Sequence, residues 1–208
     1  MTSAAAPDIQ PFTARTTEQF LQHWDDRRNF LLGPELISFA MQLPPAEQIV
    51  DIIKASFTDR TRVLYFSHIT TTTGLILPVR EICAAARERG ILTAIDGAHA
   101  PGMIPLDVAA LGADFYTGNC HKWLCAPKGT GFLWVRKGAQ DMLDPLIVGW
   151  GWDRESSTFL GDFENPGTHS SGLPVAVGDA VAFQEAIGKE TIAARGRELT
   201  AYGRAALE

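Results

Sequence analysis

ILTAIDGAHAPGMIPLDVAALGADFYTGNCHKWLCAPKGTGFLWVR, residues 91–136, decides how this chain is read. An apolar run, Ile91-Leu92-Thr93-Ala94-Ile95, ends on an acid, Asp96. A second β-prone segment, 113–117, leads into Gly118-Asn119-Cys120-His121-Lys122-Trp123. A carboxylate at the C-terminal end of a buried strand lies at the sheet edge where open α/β folds bind ligands. A lysine beyond the next strand lies at that same edge if the strands are parallel. The lysine amine can form an imine with an aldehyde cofactor, and the acid can keep a pyridine nitrogen protonated. That division of labour is the one pyridoxal 5'-phosphate (PLP) requires.

Outward from this stretch the chain alternates between two periods. Residues 62–66 (RVLYF) are β-rich and mostly apolar, as in a buried parallel strand. A polar loop with Thr70–Thr73 follows, then Pro78 opens a helix to about residue 89, closed by Gly90. With 91–95 this makes a βαβ unit with parallel pairing. Residues 106–111 read as a short helical turn, and 131–135 (GFLWV) as a further strand after a Gly/Pro/Lys loop. Upstream, 17–30 reads as an amphipathic helix and 37–41 as a strand. Residues 45–57 read as a helix with Ile49, Ile52, Ile53 and Phe57 on its apolar face. Downstream, 149–167 shows no clear period, and 175–187 and 190–207 read as helices.

Composition narrows the function classes. A hydrophobic content of 46% with 20% charged residues fits a globular chain with a real core. The net charge of −6, without a basic cluster, argues against nucleic acid as a partner. Three cysteines without CxxC spacing argue against a disulfide framework or a zinc site, and for a reducing compartment. No apolar run is long enough for a membrane span, and the start MTSAAAPDIQP lacks a signal pattern. The expectation is a cytoplasmic protein without a membrane or nucleic-acid partner.

Each candidate residue has a plainer reading. Asp96 could simply cap the turn in DGAH. Lys122 could be a solvated charge, but Cys120, Trp123 and Leu124 around it suit partial burial, which favours a neutral amine. His99 could hydrogen-bond a ring substituent or only satisfy a turn. Thr71 and Thr168 could bind a cofactor's oxygens or merely their own backbone. Cys120 and His121 are adjacent on a strand end and point apart, which disfavours a thiol–imidazole pair. His99, His121 and His169 lack compact metal-ligand spacing, so no metal is expected.

The ordered motifs SHITTTTGLILPVREIC, ILTAIDGAHAPG and LGADFYTGNCHKWLCAPKGTGFLWVR resemble the class V aminotransferase family of fold-type I PLP enzymes. DGAHAPG and GNxHKWLxAPKG look most like its isopenicillin N epimerase-like members; cysteine desulfurases share the framework but typically carry glutamine where His99 stands. The resemblance runs from about residue 44 onward and is densest over 62–136. It implies that Lys122 forms the imine, that Asp96 binds the pyridine nitrogen, and that His99 sits at the ring's O3′ side. Thr71 matches a position that contacts the phenolic oxygen. Asn119 and His121 match phosphate contacts, and Thr168 matches a segment that reaches the phosphate of the neighbouring subunit in a homodimer.

The resemblance also implies the fold: α/β, a partial PLP-transferase (aspartate aminotransferase-like) large domain with a parallel-rich sheet and the start of a small domain. The expected division is 1–43 as a partly irregular N-terminal segment, 44–144 as the PLP-binding portion, and 145–208 as connector and small-domain start. Family members are about twice this length. The Gly-Thr-Thr-type phosphate turn and the substrate-carboxylate arginine have no counterpart here, so the chain reads as a fragment or truncated product. The expected function is PLP-dependent chemistry at an amino acid Cα, of epimerase, aminotransferase or desulfurase/lyase type. The rival is a catalytically inactive fragment acting as an oligomerising or binding module.

Overall fold

A computed structural model describes residues 45–207 apart from 72, 151, 153–157 and 166. The helix expected over 17–30 and the strand over 37–41 lie outside the described residues. From Ile49 onward the described residues form one compact unit.

Helix α1, Ala46–Ser56, follows Pro45. Its inward side is Val50 and Ile53, which pack with Phe57 against Ala85, Ala86 and Ile91. Ile52, expected on that side, is 61% exposed. Strand β1, Val63–Ser67, starts one residue later than the sequence suggested. Beyond it a loop folds back on itself through an Ile69–Ile76 bridge. Helix α2, Val79–Glu88, begins directly after Pro78, where a missing N–H costs no helical bond. It ends in a left-handed glycine: Gly90, at φ +66°, donates to Arg87 O, and Ile91 donates to Ala86 O.

Strand β2, Leu92–Asp96, pairs parallel with β1, Ser67 lying beside Asp96. A short helix, α3 (Val108–Leu111), is capped by Asp107, whose carboxylate accepts from Ala110 N. Strand β3, Phe115–Asn119, pairs parallel with β2. Strand β4, Gly131–Val135, returns antiparallel to β3. The return is possible because 120–130 is a loop; a parallel neighbour would need a long crossover. The sheet order is β1-β2-β3-β4, mixed and mostly parallel.

The register assigns the two faces. Phe66, Ile95, Tyr116 and Phe132 point toward α2, where Val79, Cys83, Ile95, Ala113 and Tyr116 form the main core. The opposite face carries Tyr65, Ala94 and Phe115, then Ser67, Asp96, Thr117 and Leu133. Tyr65 and Leu133 remain 69% and 45% exposed there. Asp96 therefore lies on the open face, not in the core beneath it.

A buried carboxylate ties the sheet's other end. Thr93 donates to Asp114 Oδ2 from its backbone N at 2.8 Å and its Oγ1 at 3.1 Å. Arg136 donates to Oδ1 through Nε and Nη2, both at 2.8 Å. Burial pushes the Asp114 carboxyl up, but the Thr93 and Arg136 bonds outweigh it and hold the group below the usual carboxylate range.

A 3₁₀ turn, Lys137–Met142, follows β4. Within the stretch that showed no period lies a short helix, α4 (Phe159–Glu164), capped by Thr158. Helices α5 (Gly172–Ile187) and α6 (Lys189–Leu207) complete the chain. Helix α5 starts three residues earlier than expected and takes Pro174 into its first turn, where proline is tolerated. Among the described residues no helix is long and apolar enough to cross a membrane.

Candidate active site

The carboxyl ends of β2 and β3 lie side by side, so the loops that leave them share one edge of the sheet. The β2 loop turns tightly after Asp96. Ala98 N donates to Asp96 Oδ1 at 2.9 Å, and Ala100 N donates to Gly97 O. A side chain at Gly97 would run into the Tyr116 ring, since a Cβ there would stand 2.1 Å from it. Behind this turn Tyr116 and His68 are buried together, the phenol oxygen 2.9 Å from His68 Nδ1. Burial lowers the His68 pKa. Burial, and secondarily the Asp96 charge, raises that of Tyr116, so both stay neutral.

Asp96 itself keeps acceptor capacity. Oδ1 holds the Ala98 N–H, while among the described contacts Oδ2 meets only Ser67 Oγ at 3.5 Å. A carboxylate offers about four lone-pair sites. A protonated ring nitrogen would therefore find free ones at this half-buried position.

Three residues further on, His99 collects the site. Lys122 Nζ lies 3.1 Å from His99 Nε2, and Thr71 Oγ1 lies 3.2 Å from the same nitrogen. Trp123 Nε1–H donates to His99 Nδ1 at 3.2 Å. Partial burial and then the Lys122 charge lower the His99 pKa, against an opposing pull from Asp96. Three loops, after β1, β2 and β3, thus converge on one imidazole, with Asp96 close enough to act on it electrostatically.

The lysine loop is held from two sides. Cys120, Leu124 and Ala126 pack against Val177 and Ala180 of α5. Gln184 Nε2 donates to the Trp123 carbonyl at 3.0 Å. On the other side Gly102, at φ +81°, passes so close that a Cβ would stand 2.5 Å from Trp123 O. Glycine at this point of DGAHAPG is thus required twice, by the backbone angle and by the contact. Trp123, which the sequence suggests as a burying neighbour of Lys122, is instead half exposed, and it engages His99 through its N–H.

The remaining sequence candidates have no described hydrogen bond or pairing with Lys122 or His99. Asn119 ends β3 opposite Gly131. His121 donates from Nδ1 to Thr130 O at 3.0 Å, so a phosphate contact from Nε2 would require the doubly protonated ring. Gly167-Thr168 precede α5 in an exposed bend, with His169 Nδ1 donating to Gly167 O at 2.8 Å. Among the described contacts none of the three reaches Lys122 or His99. Cys120 is buried and its thiol pKa is raised by burial, which makes it a poor nucleophile. Sequence reasoning missed the roles of Trp123, Gln184 and Gly102. Only the indole beside the lysine offered a signal, as a donor in need of an acceptor.

The donor set fits a PLP-type group: an amine, a carboxylate with spare lone pairs, and an imidazole and hydroxyl between them, all at one sheet edge. The sequence pattern of the family described as aminotransferase class-V matches residues 41–208. An isopenicillin N epimerase of Streptomyces clavuligerus is 43% identical over 188 residues, covering 83% of this chain and 47% of that protein. A probable cysteine desulfurase of Xylella fastidiosa (strain 9a5c) is 34% identical over 173 residues, 80% of this chain and 41% of that one. In structure the chain resembles a cysteine desulfurase from Thermococcus onnurineus NA1, with a TM-score of 0.62 at 22% identity over 84% of this chain and 42% of that one. The chain spans a little under half the length of the curated relatives it matches. With its motifs, its mostly parallel sheet and a family match over most of its length, the chain belongs to the aminotransferase class-V family.

Proposed function

We propose that this chain carries the lysine-bearing part of a PLP-dependent enzyme acting at the Cα of an amino acid substrate. The observation that carries the reading is the meeting of Lys122 Nζ with His99 beside Asp96 at the carboxyl edge of β2 and β3. When bound, PLP supplies an aldehyde for an amine to engage and a ring that withdraws electrons from the substrate's Cα. Lys122 holds the cofactor and afterwards takes or returns the Cα proton at Nζ. Asp96 accepts a hydrogen bond from the ring nitrogen and keeps it protonated. His99 and Thr71 face the phenolic oxygen. Asn119 and His121 serve the phosphate, with Thr168 supplied from the second subunit of a homodimer.

Epimerase, aminotransferase and desulfurase/lyase reactions share this apparatus, and the relatives include an epimerase and a desulfurase. The substrate is an amino acid. The three cysteines, all free thiols, suit a reducing cytoplasm.

The test is titration of the 208-residue chain with PLP, followed by the visible absorbance of the bound cofactor. A Lys122-dependent band, lost in Lys122→Ala and weakened in Asp96→Asn, is the expected result. An unchanged band in Lys122→Ala would remove the assignment. Little turnover is expected from this chain by itself. Tight phosphate binding needs a helix N-terminus and several donors, and this sheet edge offers few.

A further inference from the structure

A cavity of about 220 Å³ opens between the turn at 149–152 and helix α4, and none of the residues lining it belongs to the Lys122 cluster. The turn is built to lie against the end of α4. Trp152 N donates to Gly149 O at 3.3 Å, and a Cβ at Gly149 would stand 2.1 Å from Asn165 O, so only glycine fits there. That close pass brings Trp150 and Trp152 to one wall of the cavity. Helix α4 supplies the other wall with Thr158 and Asp162. Thr158 Oγ1 is already committed, accepting from Gly161 N at 3.1 Å.

The walls carry groups that the chain itself leaves unused. Trp150 is fully exposed, so neither face of its indole is packed, and Trp152 also remains exposed. The half-buried Asp162 carboxylate has no hydrogen bond or ion pair among the described contacts. Among the described residues no lysine or arginine lines the cavity. An aromatic face attracts a cation electrostatically, and the indole is the strongest of them. A carboxylate in the same cavity adds a full negative charge. The chain's net charge of −6 acts in the same direction.

Size and hydration narrow the ligand. Cavities that enclose drug-sized molecules run from about 300 to 1,000 Å³, so this one suits a compact ion. A primary ammonium is strongly hydrated and brings three N–H donors. Walls made largely of indole return few of the bonds it would lose. An ammonium alkylated on nitrogen makes no such demand and needs only ring faces and a counter-charge. We propose that this cavity binds a compact, N-alkylated organic ammonium ion between the Trp150 and Trp152 indoles and the Asp162 carboxylate. The site is independent of the PLP reading, which uses none of these residues.

The experiment is an NMR titration of the full 208-residue chain, labelled with ¹⁵N and free of PLP. The probe is tetramethylammonium chloride at constant ionic strength, and the control is neutral tert-butanol, of nearly the same shape. The indole N–H signals of Trp150 and Trp152, assigned from Trp150→Leu and Trp152→Leu, should move saturably with the cation. The alcohol should bind about tenfold more weakly. Asp162→Asn and Trp150→Leu should each weaken cation binding about threefold to tenfold. Trp150 is fully exposed, so its replacement leaves the fold intact. If Asp162→Asn does not fold, the cation and the alcohol compared on the wild type decide. No saturable shift, equal binding of the alcohol, or a cation affinity unchanged in either folded variant would each overturn the proposal.

Discussion

His99 is the residue on which the site's electrostatics can be read. Its ring touches Lys122, Thr71 and Trp123 and feels Asp96. Burial first, and the Lys122 charge second, disfavour its protonated form; Asp96 favours it. His99 should therefore titrate below the ordinary histidine value of about 6.5. Lys122→Met should raise that pKa, and Asp96→Asn should lower it further. Histidine NMR titration of the three proteins checks the order, and a Lys122→Met variant with a lower pKa would contradict it. The sign for stability follows. His99 and buried His68 both have folded pKa values below their unfolded ones. Their contribution is complete above about 6.5 and is lost as pH falls toward the folded values, because the unfolded chain binds the protons first.

At the level of elements, two ties keep the site in register. Gly102 lets the DGAHAPG turn pass against the lysine loop. Gly102→Ala forces a side chain into φ +81° and against a backbone carbonyl. It should cost about 1–3 kcal/mol in urea unfolding and disturb the Trp123–His99 bond. The Asp114 carboxylate joins β2, β3 and the end of β4 through Thr93 and Arg136. Asp114→Ala leaves the buried Thr93 N–H and O–H without their acceptor, although the backbone N–H of residue 114 still donates to Thr93 Oγ1, whereas the half-exposed Arg136 can return to water. A loss of about 2–3 kcal/mol is expected. Because the folded Asp114 pKa is depressed, its contribution is present above the unfolded value near 3.8 and is lost as pH falls through the folded one. The elements themselves were largely legible. Apolar runs, most of them closed by a glycine or a polar loop, marked β1, β2, β3, α2 and α5 to within one to three residues, since a buried strand and a capped helix each leave a local pattern. The antiparallel sense of β4 was not legible, because direction is set by what the intervening loop can span. Short α4 carries too few residues to show a period.

For the whole molecule, the fold's consequence is that one sheet edge gathers chemistry from three loops far apart in sequence. Asp96 and Lys122 were legible because their type and place after strands carry meaning. The His99–Trp123 bond, the Gln184 tie and the close pass of Gly102 were not. They depend on how loops meet across the edge, and neither local propensity nor spacing encodes that. Asn119, His121 and Thr168 rest on resemblance alone, since no described hydrogen bond joins them to His99 or Lys122. Reductive trapping tests the assembled site most directly. PLP is added to the 208-residue chain, borohydride fixes it to whichever lysine holds it, and peptide mass spectrometry locates the pyridoxyl label. The label should fall on Lys122 in preference to the other lysines, at substoichiometric PLP, and should vanish from that peptide in Lys122→Ala. A label spread evenly over surface lysines, or concentrated on a lysine other than Lys122, would contradict the assignment.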